Sequence, residues 1–133
     1  MSNKVSNSFT KFSTLEGANA GVKMLVKDAN GKETTEWVTV LGSDSEQFQR
    51  ASKRMRVDTL AFLELKGDSV RGTDEHADFV ITQSRLMRAS LVKAWSFDEP
   101  CTPENVLEMF KHAPYIAEQI DETGSKRALF VKV

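Results

Sequence analysis

The sequence predicts an α+β protein in which an N-terminal β-hairpin precedes a mainly α-helical bundle of about four helices. Three observations lead there. Two short runs, VKMLVK at 22–27 and TEWVTVL at 35–41, flank a loop that contains Asn30-Gly31. Beyond Ser43, apolar residues recur every three or four positions over two long stretches. Pro103 then follows a threonine, the usual first position of a helix, and Pro114 divides the remaining helical part in two.

The hairpin comes first in the chain. Asn-Gly supplies the two positive-φ residues of a type I′ turn, and closing a two-residue loop there pairs Met24 with Trp37, Val26 with Thr35 and Val22 with Thr39. That register places Val22, Met24, Val26, Thr35, Trp37 and Thr39 on one face, with Leu25, Val38 and Val40 on the other. The second strand is thus apolar on both sides and calls for cover on both. A hairpin alone is not stable, so it must pack on helices or pair with another strand.

Gly42 ends the strand, and Ser43-Asp44-Ser45-Glu46 opens the first long helix, about 44–66. Phe48, Ala51, Met55, Thr59, Phe62 and Leu63 form its main face, and its last turn, LAFLEL, is apolar nearly all round. Gly67 stops it. A second helix starts on the Thr73 cap and is read over 74–95, with Ala77, Val80, Ile81, Ser84, Met87, Leu91, Val92 and Trp95 on one side. Shorter helices follow at 103–112 and 114–123, and the end, RALFVKV, reads as extended. Residues 1–20 are rich in Ser, Asn, Thr and Gly and read as a flexible N-terminal arm, leaving 21–133 as a single α+β domain.

Composition narrows the function. Hydrophobic residues make up 40% and charged residues 28%, as in an ordinary globular chain. Eighteen basic and nineteen acidic side chains nearly cancel, so no field draws the chain to nucleic acid or to an anionic membrane. No apolar run is long enough to span a bilayer, and the N-terminus has no signal-peptide core. The single cysteine, Cys101, excludes an intrachain disulfide. These features fit a cytoplasmic protein.

No set of residues is arranged for chemistry. Asp74, Glu75, His76 and Asp78 look like metal ligands, but on a helix Asp74 and Asp78 share one face while the other two point away. They read as acids suited to a helix N-terminus. Cys101 has no histidine near it in sequence, and neither a phosphate loop nor a Gly-x-Ser-x-Gly elbow is present. No catalytic residue, metal site or cofactor is expected. Arg50, Lys53, Arg54 and Arg56 form a basic stretch, but Asp44, Glu46 and Asp58 surround it, so it reads as a solvated or intersubunit salt-bridging face and less as a nucleic-acid surface.

Three motifs in order carry a family resemblance. They are Leu91-Val92-Lys93-Ala94-Trp95-Ser96-Phe97, then Thr102-Pro103-Glu104-Asn105-Val106, then Ala113-Pro114-Tyr115-Ile116-Ala117-Glu118-Gln119-Ile120. Together with Glu36-Trp37-Val38-Thr39-Val40-Leu41-Gly42-Ser43-Asp44-Ser45, this series resembles the tail assembly chaperones of long, flexible-tailed phages. The resemblance implies a non-enzymatic protein of the host cytoplasm, absent from the mature virion, that binds the tape measure protein and keeps it soluble. It also implies a homo-oligomer and, through a longer frameshift product, contact with the tail tube protein. On that expectation Phe9, Phe12, Trp37, Val38 and Val40 serve self-association by strand addition. Leu60, Phe62, Leu65, Phe110, Tyr115 and Phe130 meet the client. A structural tail completion or head–tail joining protein is the alternative.

Overall fold

The computed structural model describes residues 8–131. A 3-10 turn at Ser8–Phe12 leads to α1 (Leu15–Ala20), then β1 (Val22–Lys27) and β2 (Glu33–Val40). The long helices α2 (Glu46–Lys66) and α3 (Asp74–Ala89) follow, then β3 (Val92–Trp95), α4 (Pro103–His112) and α5 (Pro114–Ser125). The fold is α+β, with an early hairpin and four helices after it.

The hairpin register differs from the expected one by a single residue. Leu25 pairs with Trp37, Met24 with Val38 and Val22 with Val40. The loop is the cause. Among the described residues no non-glycine residue has positive φ, so Asn30 does not enter the conformation that a type I′ turn requires, while Gly31 does, at φ 81°. Asp28 organises a longer loop, its side chain accepting from the N–H groups of Asn30 and Lys32 at 2.9 and 3.0 Å. The irregularity between Leu25 and Lys27 absorbs the offset. A one-residue slip turns the side chains of one strand over relative to those of its partner. Val38 and Val40 thus share a face with Met24 and Val26, the face that enters the core, and Trp37 lies on the other, where the Lys23 ammonium lies 4.3 Å from its ring.

A third strand completes the sheet. The expected helix 74–95 ends at Ala89, and Val92–Trp95 pair antiparallel with β2, giving the order β1-β2-β3. Helical periodicity through Leu91, Val92 and Trp95 does not hold there, because pairing with β2 decides the state of so short a segment. The chain leaves the sheet at Leu41, whose N–H donates to the Leu91 carbonyl at 2.7 Å where the chain returns.

The helical pair α4–α5 covers one face of the sheet. Val106, Phe110, Ile116, Ala117 and Ile120 pack with Val26, Val38, Val40, Leu41 and Leu91 into one core. Burial of each large apolar side chain contributes about 1.5–3 kcal/mol. Gln119 ties α5 to the sheet, its amide making two 2.9 Å hydrogen bonds with the backbone N–H and carbonyl of Lys27. Gly124 lies inside α5 and does not stop it. A Cβ there would stand 3.0 Å from Leu91 and 3.1 Å from the Leu41 carbonyl, so the glycine permits close approach.

Both ends of the chain depart from expectation within the described residues. Residues 15–20 of the expected flexible arm form α1, with Ala18 buried. The C-terminal segment is a 3-10 turn at Arg127–Phe130, not an extended strand, and Phe130 is buried beside Gly17, Ala18 and Gly42. Asp44 joins the two ends. Its carboxylate accepts from Arg127 at 2.8 and 3.0 Å and from the Thr14 hydroxyl at 2.6 Å. The Arg127 guanidinium, helped by Thr14, holds that carboxyl below its ordinary range. The remaining terminal residues of both segments lie outside the described ones.

Ser45 starts α2. Its fully buried hydroxyl accepts from the Phe48 N–H at 3.2 Å. Ser45→Ala is expected to cost about 1–2 kcal/mol, read as a lower urea midpoint, because it removes a cap partner with no water to replace it.

Candidate functional site

The helices α2 and α3 form a hairpin that has no fully buried side chain in either helix. Glycines and caps shape its tip. Gly67 ends α2 at φ 81°, and its N–H donates to the Leu63 carbonyl. Val70 plugs the connecting 3-10 turn, and Thr73 caps α3 by accepting from the His76 N–H at 3.3 Å. Phe62 stacks on Phe79 with ring centroids 4.1 Å apart, next to His76 at 6.1 Å. Lys66 and Glu75 make a 2.9 Å ion pair beside this stack. The seam continues toward the sheet through Ala51, Met55, Gln83 and Met87, around a small hollow of about 160 Å³.

Such a pair is half of a bundle. Each helix keeps one apolar side against the other and carries more apolar surface than that seam uses. Val57, Leu60 and Leu65 are exposed on α2, the last two at 63% and 81%, and Val80, Ile81 and Leu86 are exposed on α3. Between α3 and the α4–α5 pair runs a furrow of about 370 Å³, floored by Val80, Ile81, Phe110 and Ala117 and edged by Arg85, Arg88 and Glu118. A second hollow, about 410 Å³, lies where Phe48 and Met55 face Val80 and Met87.

A separate hollow of about 290 Å³ opens between β3 and α4. Trp95 and Phe97 meet edge to face at 5.2 Å on its wall, with Met109 and Ile116 opposite. The Trp95 indole N–H donates to the Glu99 carbonyl at 2.7 Å, which fixes the ring.

The structure separates the expected contact residues into three groups. Leu60 and Leu65 lie exposed on α2, and Phe9, Phe12 and Tyr115 are also at the surface. Val38, Val40, Phe110 and Phe130 are buried, between 0% and 4% exposed, and Phe110 contributes only to the floor of the furrow beside α3. Val38 and Val40 are inside because the register sets them on the face that α4 and α5 cover, in the central strand of the sheet. Phe62 is taken up by its stack with Phe79, and Trp37 is half-covered beneath Lys23. Val57, Val80, Ile81 and Leu86 were not singled out as contacts. Val80 and Ile81 have the spacing of a core face, which is what concealed them.

Among the described residues no group of three or more His, Cys, Asp or Glu side chains could hold a metal ion. Asp74 and Glu75 occupy the first turn of α3, and Arg54 of the basic stretch pairs with Asp58 at 2.9 Å. Cys101 is on the surface, and partial desolvation pushes its thiol pKa up, away from thiolate character. No described helix is long and apolar enough to cross a membrane. No protein-family model, curated protein or solved structure matches the chain.

Proposed function

We propose that this chain is a non-enzymatic binding protein that covers apolar helical surface on other proteins. More narrowly, it is a tail assembly chaperone of a long-tailed phage that holds the tape measure protein in solution in the host cytoplasm and is absent from the finished virion. One observation carries the reading, the α2–α3 hairpin with no buried side chain and apolar residues on its exposed sides. A long helical client with an apolar face aggregates unless that face is covered. The furrow beside α3 is apolar along its floor and polar at its edge, the pattern by which an amphipathic helix is received. The order of the motifs from Glu36 to Ile120 supports the narrower reading.

Co-expression with the large, helix-rich product of the neighbouring gene tests it. The chain is expected to raise the soluble fraction of that product several-fold, and Val80→Asp with Ile81→Asp to abolish the effect while the chain stays folded. An insoluble client in the presence of wild-type chain sinks the chaperone reading. Mass spectrometry of purified particles decides the narrower point, since peptides of this chain at stoichiometric level mark a structural tail component.

A further inference from the structure

We infer that the outer side of α2 is an interface for a second copy of this chain, paired antiparallel about a two-fold axis between Val57 and Leu60. Phe48, Ala51, Met55 and Phe62 turn toward α3, in the seam or the hollow beside it. Arg50, Lys53, Val57, Leu60 and Glu64 follow one another by three or four residues on the opposite side of the helix, and all five are exposed. This alternating step of three and four is the seam spacing of paired helices. Its middle is apolar, Val57 and Leu60, with Ala61 and Leu65 beside it.

The charges along this seam are self-complementary in one orientation only. Antiparallel pairing that brings Val57 of one copy onto Leu60 of the other places Lys53 opposite Glu64, and the two-fold repeats that pair. Arg50 then faces the C-terminal end of the second copy's α2 at Gly67, the negative end of a helix dipole. Parallel pairing would set Lys53 against Lys53 and Glu64 against Glu64. Neither Lys53 nor Glu64 has an ion-pair partner among the described residues, whereas Arg54, on the shoulder of the seam, is paired with Asp58. An isologous contact of this kind closes at two copies and leaves nothing to propagate. It uses the side of the hairpin away from the α3 furrow, so its test does not depend on whether that furrow receives a client.

Charge reversal tests it on the full-length chain, with mass measured by sedimentation equilibrium over a wide concentration range. Wild type is expected to be a dimer at high concentration. Lys53→Glu and Glu64→Lys each turn two attractive contacts into repulsive ones, and each is expected to weaken the dimer by about tenfold or more. An equimolar mixture of the two variants restores both pairs and is expected to form a mixed dimer at wild-type strength. The double variant K53E/E64K recovers self-pairing. Circular dichroism confirms that these exposed changes leave the fold intact. A wild-type chain that stays monomeric throughout, or single reversals with unchanged mass, overturns the interface. Variants that weaken without rescue in the mixture overturn the antiparallel pairing.

Discussion

Phe110→Ala is expected to remove about 3–5 kcal/mol of stability, enough to leave a large fraction of the chain unfolded at moderate urea. The ring is 2% exposed and sits among Val106, Ile116, Ala117 and the valines of β2. Truncation would leave a cavity under both α4 and α5, and the helices close over it only in part. The measurement is the urea midpoint followed by tryptophan fluorescence. Leu65→Ala is the matched comparison, at 81% exposure on α2, and is expected to shift stability by less than about 0.5 kcal/mol. The pair distinguishes two roles that the sequence treats alike, since both side chains look available to a client when only spacing is considered. If Phe110→Ala leaves the midpoint unchanged, the placement of α4 against the sheet is wrong.

Gly17→Ala is expected to separate the two ends of the chain. A Cβ on Gly17 would stand 1.9 Å from the Phe130 carbonyl oxygen and 2.8 Å from its carbon. Both are backbone atoms, so no rotamer change relieves the contact. Either α1 or the Arg127–Phe130 turn must move, and Phe130 loses its seat against Gly42 and Ala18. The expected cost is about 1–3 kcal/mol. Hydrogen exchange gives the sharper readout, with faster exchange at 15–20 and 127–130 and unchanged protection in β2 and α5. Uniform loss of protection across the sheet would mean that the chain ends are integral to the core and not a docked clasp.

Elements with strong local signals were legible in the sequence. Thr73 and Thr102 cap helices as their neighbours suggest, each accepting from the N–H three residues on, and Pro103 and Pro114 both begin helices. What was hidden depends on partners distant in sequence. Asn30-Gly31 is a strong turn signal, yet the Asp28 side chain selects a longer loop, and that single choice sets Val38 instead of Trp37 on the face of Met24 and Val26. Val92–Trp95 carry helical spacing, but they pair with β2, which lies some fifty residues earlier. Gly17 and Phe130 are uninformative separately and meet only in three dimensions. The candidate site was half legible. Leu60 and Leu65 stood out because the end of α2 is apolar on every side, while Val80 and Ile81 mimic a core face, and only the missing cover reveals them.

The hydrogen bond from the Leu41 N–H to the Leu91 carbonyl has a consequence for how this chain can vary. It closes the point where the long helical hairpin departs from the sheet, so that hairpin is an insertion between two neighbouring strands. Its footing does not depend on its length. Because the entropic penalty for closing a long connection grows only with the logarithm of its length, adding or removing turns costs the base little. Reach and register can therefore drift in a lineage while the sheet and its two covering helices stay fixed. A chain built this way can follow a changing partner by altering one module.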